Sequence, residues 1–241
     1  MGALVEIGGA IPEDCKMSSS SDSASPTAGE RRRLPPAHSF LPPETVNLLL
    51  QYGSDFPMDL AIPETMCIVF SDMRGFTEMA ENHDPKEVYA AINASLAVQT
   101  RLVLAHGGSV NKFLGDGLLA CFSGQDRVAR AVRCVLEMSE ELQRREEEEK
   151  HLPCPVGFGV NDGKILLGIL GSRERREFTV LGDVVNTAAR LCGIAAPFQA
   201  LITEAAVRGL PEEMARAHCR FFQDVHFKGK FEPTRVYSLA S

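Results

Sequence analysis

The sequence predicts an α+β fold: a ferredoxin-like βαββαβ core with additions at its C-terminal end. Three observations carry that prediction. An apolar run, Cys67-Ile68-Val69-Phe70, ends on Ser71-Asp72 and turns through Gly75. A long helical segment follows, then two short apolar strands joined by Leu114-Gly115-Asp116-Gly117, a hairpin with its acid at the tip. A second long helix and further apolar runs complete the order strand, helix, strand, strand, helix, strand.

Residues 1–38 are rich in Ser, Pro and Gly and include an arginine triplet; they bury little apolar surface and read as a disordered tail. Residues 39–63 read as a lead-in, with a short helix opening at Pro42-Pro43 and running through Leu50. The domain itself is assigned to 64–241, its first strand starting near Met66. Asp84-Pro85-Lys86-Glu87 is a helix start, with Asp as N-cap and Pro at the first position. That helix runs through Tyr89, Ile92, Leu96, Val103 and Leu104 and stops at Gly107-Gly108. The hairpin strands fall around 109–113 and 118–123, and the second helix covers about 125–148. Val156–Val160 and Ile165–Leu170, flanking Asn161-Asp162-Gly163, read as a hairpin. Residues 171–176 form a charged connection to the strand Phe178–Leu181, and a helix starts at Gly182-Asp183 with Asp183 as N-cap. Strands at 200–202, 221–227 and 236–239 close the fold.

The bulk numbers bound the function. The chain has 241 residues, 44% of them hydrophobic, and a net charge of -7. The acidic balance argues against nucleic acid and anionic membrane as partners. A ferredoxin-like RNA-binding module would need a basic face and aromatic strand residues that the sequence lacks. The seven cysteines form no CxxC pair, which fits small buried hydrophobes in a reducing compartment. No signal peptide and no apolar run of spanning length are read, so a cytoplasmic location is expected.

The chemistry centres on Asp72 and Asp116, two acids at the ends of adjacent strands. Such a pair is costly to hold together unless a cation sits between them, and Mg²⁺ takes oxygen ligands and leaves room for phosphate. Gly75-Phe76-Thr77 at the following helix start offers backbone N–H groups to anionic oxygen. Asn186 and Arg190 lie four apart on one helix and so share a face.

The runs Phe70-Ser71-Asp72-Met73-Arg74-Gly75-Phe76-Thr77, Lys112-Phe113-Leu114-Gly115-Asp116 and Phe178-Thr179-Val180-Leu181-Gly182-Asp183-Val184-Val185-Asn186-Thr187-Ala188-Ala189-Arg190 resemble the catalytic domain of class III nucleotidyl cyclases over roughly residues 64–240. The resemblance implies that Asp72 and Asp116 hold two divalent ions, Mg²⁺ or Mn²⁺, with a backbone carbonyl near Met73 assisting. It implies that Arg190 stabilises charge on the α-phosphate, that Asn186 orients the ribose, and that Lys228 (or Lys230) meets the terminal phosphates. Lys112 and Thr179 would read the base. Lysine can only donate and threonine can accept, which matches adenine N1 and its amine, so ATP is the expected substrate over GTP. The Lys112–Thr179 combination is similar to the subclass that includes bicarbonate-responsive soluble enzymes, which makes bicarbonate an expected activator. Family sites are completed across a dimer, so a homodimer is expected. A guanylate cyclase and a catalytically silent dimerisation or sensor domain are the competing readings.

Overall fold

The computed structural model describes residues 60–148, 152–172 and 174–240, together with Val46 and Leu50, both helical. The expected tail and most of the lead-in lie outside the described residues, as do 149–151 at the acidic helix end and Arg173.

The first strand, β1 (Ala61–Met73), starts inside the segment read as lead-in. A short helix α1 (Phe76–Asn82) follows, then α2 (Pro85–Ala105), the hairpin β2 (Ser109–Phe113) and β3 (Leu118–Phe122), helix α3 (Arg127–Glu148), β4 (Val156–Gly171) and β5 (Arg176–Leu181). Helix α4 (Asp183–Ile194), β6 (Ala200–Thr203), two short helices α5 (Glu204–Val207) and α6 (Glu212–His218), β7 (Cys219–Val225) and β8 (Thr234–Leu239) complete the chain. The sheet runs β2-β3-β1-β4-β6-β8-β7, with β5 paired to β4. Its β2-β3-β1-β4 part is antiparallel throughout, the ferredoxin-like core expected from the element order, and β6, β8 and β7 are the C-terminal additions.

The period of two along a strand explains why β1 and β3 are continuously apolar. Cys67 and Val69, with Leu118, Ala120 and Phe122, face α2 and α3 and pack on Val98, Leu102, Val132 and Met138. Met66 and Ile68, with Leu119 and Cys121, face the other way, onto Val185 and Ala188 of α4. A strand covered on both sides has no solvent face to mark with polar residues.

Asp84 caps α2 as expected: its Oδ1 accepts from the Lys86 N–H at 2.8 Å, with Pro85 next. Three expectations are corrected. Asn161-Asp162-Gly163 is no turn; β4 runs straight through it, paired residue for residue with β1 from Gly168↔Ala61 to Val156↔Met73. The polar side chains that suggested a loop are used internally. Asn161 donates to the Val184 carbonyl and accepts from Thr203 Oγ1, and Asp162 makes a two-pronged ion pair with Arg127 at 2.7 and 2.9 Å. Second, the buried side of α2 is Val88, Ala91, Val98, Leu102 and Val103, whereas Tyr89 and Leu104 are exposed, Tyr89 at 68%. Of the five apolar residues read along the helix, Val103 is buried and Ile92 and Leu96 pack against core clusters, so Tyr89 and Leu104 are the two that face outward. Third, Gly182 is the N-cap of α4, without a side-chain cap, and Asp183 is its first residue.

α2 is also long and apolar enough to cross a bilayer by length and composition, contrary to the expectation that no run is. Its inner residues belong to the domain core, against α3. Of the cysteines in the described residues, 67, 121, 134 and 192 are buried and 154 and 219 half-buried. Burial pushes the Cys134 and Cys192 thiols up to about 12, so they serve as packing and not as nucleophiles.

Candidate active site

The end of β1 and the tip of the β2–β3 hairpin are locked together by backbone. The Leu118 N–H donates to Ser71 Oγ at 3.0 Å, and the Leu114 N–H to the Gly117 carbonyl at 2.8 Å. Gly117 lies so close to β1 that a Cβ there would fall 2.0 Å from the Ser71 carbonyl oxygen. This close approach brings Asp116 beside Asp72 and the backbone of Met73. Burial raises the Asp116 pKa and the Asp72 carboxylate adds to the rise, while backbone hydrogen bonds, including one to Met73, and the Arg74 charge work against it.

Asp116 thus holds its proton more tightly in the folded chain than in the unfolded one. The sign follows: its ionised form costs stability above the raised value, and the cost disappears as pH falls toward the ordinary 3.8. Metal-free Asp116→Asn is therefore expected to melt higher than the parent at about pH 7.5 and to lose that margin by about pH 4. A margin that stays constant across the range contradicts the assignment.

Among the described residues no group of three or more His, Cys, Asp and Glu is placed to hold a metal. The oxygens here come from two carboxylates, one of which is also hydrogen-bonded by the Met73 backbone. That fits a hard cation which keeps water or phosphate as its other ligands, and it does not fit a closed structural zinc. A half-buried carboxylate whose ionisation is opposed by a neighbouring acid is the chemistry a divalent cation relieves.

Asp72 is not alone with Asp116. Arg74 Nη1 donates to Asp72 Oδ2 at 2.8 Å, leaving Oδ1 for other partners. Past Arg74 the chain turns at Gly75, in the left-handed region with φ 75, which caps α1. Phe76 packs with Met73, Met79 and Val88, while Gly75 and Thr77 are exposed beside the acids.

Lys112 sits next to a bulge: Val110 faces Ala120 and Lys112 faces Leu119, so Asn111 is the extra residue. The bulge re-aims Lys112 toward β5, where its ammonium is ion-paired with Glu177. Thr179 lies two residues further along the same face of β5 but is 4% exposed. Among the described residues the acceptor beside Lys112 is the Glu177 carboxylate, a residue that sequence reading passed over.

On α4, Asp183, Asn186 and Arg190 form an exposed stripe. The turn after β7 docks on it: Lys230 N–H bonds the Phe227 carbonyl, Gly229 takes φ 85, and Phe227 is buried against Leu191 and Leu201. Arg190 Nη1 donates to the Lys228 carbonyl at 2.7 Å, with its guanidinium carbon 6.0 Å from the Phe227 ring centroid. The Lys230 ammonium is occupied by Asp183 at 2.9 Å. That leaves Lys228, of the two lysines, with no ion pair among the described residues. Hydrogen bonds and ion pairs thus join Asp72 to Arg74, Lys112 to Glu177 and the α4 stripe to its turn, and Arg74 also reaches the Cys192 and Ala195 carbonyls at the end of α4.

Residues 60–241 match the sequence profile of the adenylate and guanylate cyclase catalytic domain. The chain belongs to that family. An adenylate cyclase of Anabaena cylindrica is 29% identical over 210 residues, covering 83% of this chain and 42% of the relative. A terminal-differentiation-specific adenylate cyclase of Dictyostelium discoideum is 30% identical over 207 residues, covering 83% of this chain and 10% of that one. The cyclase chain described here therefore spans less than half the length of these relatives. Among solved structures, the guanylyl cyclase Cya2 superposes with a TM-score of 0.69 at 28% identity, covering 75% of this chain and 93% of that one. The adenylyl cyclase CyaB from P. aeruginosa shares the fold, with a TM-score of 0.68 at 24% identity over 76% of this chain and 96% of that one.

Proposed function

We propose that the chain is an adenylate cyclase, converting ATP to 3′,5′-cyclic AMP and pyrophosphate. The observation that carries the reading is the convergence of Asp72, Asp116 and the Met73 backbone where the end of β1 meets the tip of the β2–β3 hairpin, beside the Gly75–Thr77 turn. Mg²⁺ or Mn²⁺ ions held there would supply charge to lower the pKa of the ribose 3′-hydroxyl and to hold the triphosphate. The protein's own share is alignment and charge placement. Arg190 offers a planar fork to the α-phosphate oxygens, Asn186 orients the ribose, and Lys228 meets the terminal phosphates.

The site is completed by a second copy of the chain. The outer, apolar side of α2 supports this. Tyr89, Ile92, Leu96 and Leu104 line an open apolar groove with Phe113, and the groove reaches Gly115, next to Asp116. An apolar surface continuous with a metal site is what a homodimer buries.

Base choice rests on Lys112 with an acceptor. Adenine presents an acceptor at N1 and a donor amine, which suit Lys112 and Thr179 or Glu177. A second reading, guanylate cyclase, is favoured by the Glu177 carboxylate itself. Guanine offers O6 as acceptor and N1–H as donor, and a lysine–glutamate pair displaced by one ring position satisfies both. Purified protein given ATP and GTP in competition, with Mg²⁺ or Mn²⁺, decides between them. Cyclic AMP and pyrophosphate are expected, with specific activity rising with enzyme concentration as the dimer forms. Cyclic GMP as the main product favours the second reading, and no product with either metal rejects both. Bicarbonate stimulation rests on the likeness of Lys112 and Thr179 to a subclass; flat activity across added bicarbonate at fixed pH dismisses it.

A further inference from the structure

Arg74 stands out because its guanidinium is shared between two parts of the machinery. Nη1 holds Asp72 Oδ2 at 2.8 Å. Nε donates to the Ala195 carbonyl at 2.8 Å and Nη2 to the Cys192 carbonyl, with Cys192 Sγ 3.7 Å away. Those two carbonyls are at the C-terminal end of α4, where the helix dipole is negative, and the Cys192 carbonyl also accepts from the Ala195 N–H at 3.1 Å. The guanidinium lies flat on Gly157 of β4, where a Cβ would come within 2.4 Å of Nη2. Its backbone is pinned too, by Arg74 N–H to the Pro155 carbonyl at 2.7 Å. The side chain is 19% exposed. A half-buried planar fork with each of its three nitrogens bonded is a fixed spacer, and a lysine could not replace it.

We propose that Arg74 is a positioning residue which ties the metal-binding aspartate to the helix carrying Asn186 and Arg190. It orients Asp72 by one carboxylate oxygen, leaving the other for the cation, and it anchors the end of α4. The proposal rests on the catalytic reading above. If sites are shared between copies, Asp72 and α4 of one chain serve different sites, and Arg74 links the two sites of the dimer.

The test separates these tasks. A dimer of one Asp72→Ala chain and one Arg190→Ala chain has a single intact site, built from Asp72 of the second chain and α4 of the first. Adding Arg74→Ala to the second chain should raise the Mg²⁺ activation constant about tenfold. Adding it to the first should lower kcat with that constant unchanged. A merely structural residue would give the same loss in both arms, and that result overturns the proposal. Two readouts do not depend on turnover. In the homomeric Arg74→Ala protein, Mn²⁺ titrated against bound ATP analogue should bind more weakly by electron paramagnetic resonance. Amides of 191–195 should exchange hydrogen faster while those of β1 and β3 do not. Gly157→Ala, which displaces the guanidinium without removing it, and Arg74→Lys should move the same readouts in the same direction. Unchanged Mn²⁺ affinity and unchanged exchange in Arg74→Ala would overturn it as well. A dead Asp72→Ala/Arg190→Ala dimer would instead reject site sharing, and the Mn²⁺ and exchange measurements would then decide the role of Arg74 alone.

Discussion

Asp72→Ala is expected to lower kcat/KM for nucleotide cyclisation by at least about 10³-fold, about 4 kcal/mol of transition-state stabilisation. On the proposed reading, losing one of two carboxylates would leave a cation with Asp116 as its one charged protein ligand, too few to hold it against water. The loss should be chemical and not structural. Asp72 lies at the end of β1 with its side chain 47% exposed, and its recorded bond is to an arginine that retains its two carbonyl partners. The melting temperature should therefore stay within a few degrees of the parent, roughly the size of a surface change. Initial rates of pyrophosphate release over a range of Mn²⁺ check this. Activity within tenfold of the parent at every metal concentration would remove Asp72 from the site.

Arg190→Ala is expected to cost about 10²–10⁴ in kcat with KM changed much less, the pattern of a group that acts on charge developing in the transition state. Arg190 is exposed on α4, held at the Lys228 carbonyl and over Phe227, so it is presented by its neighbours while its remaining donors stay available. Lysine at this position keeps the charge and loses the planar fork, and should recover less than about tenfold of the lost rate. A large rise in KM with kcat intact would instead assign Arg190 to ground-state nucleotide binding. Either result leaves the fold unaffected, because the core side of α4 is Val185, Ala188, Leu191 and Cys192.

Much of this was legible in the chain because it is written locally. The cap at Asp84-Pro85, the glycine stop of α2 and the acid-tipped hairpin each depend on residues within a turn of one another, and each was found where it was read. The failures share a cause. Asn161-Asp162-Gly163 has turn chemistry, yet the ladder with the 13 residues of β1 outweighs it, and Thr203 and Arg127 take up its polar groups from 42 and 35 positions away. Tyr89 and Leu104 of α2 read in sequence like its buried residues; only the placement of α3 decides which are buried.

The separation between what the chain declares and what the fold decides runs through the site itself. Asp72 and Asp116 could be singled out at a strand end and a hairpin tip, and helix spacing puts Asn186 and Arg190 on one face, while the roles of that pair are what the resemblance to class III cyclases implies. Arg74 and Glu177 could not be singled out, since their meaning comes from partners 118 and 65 residues distant. An ion pair or a helix-end contact is set by where two backbones meet in space, and that meeting depends on the packing of the sheet and its helices, which no local pattern encodes.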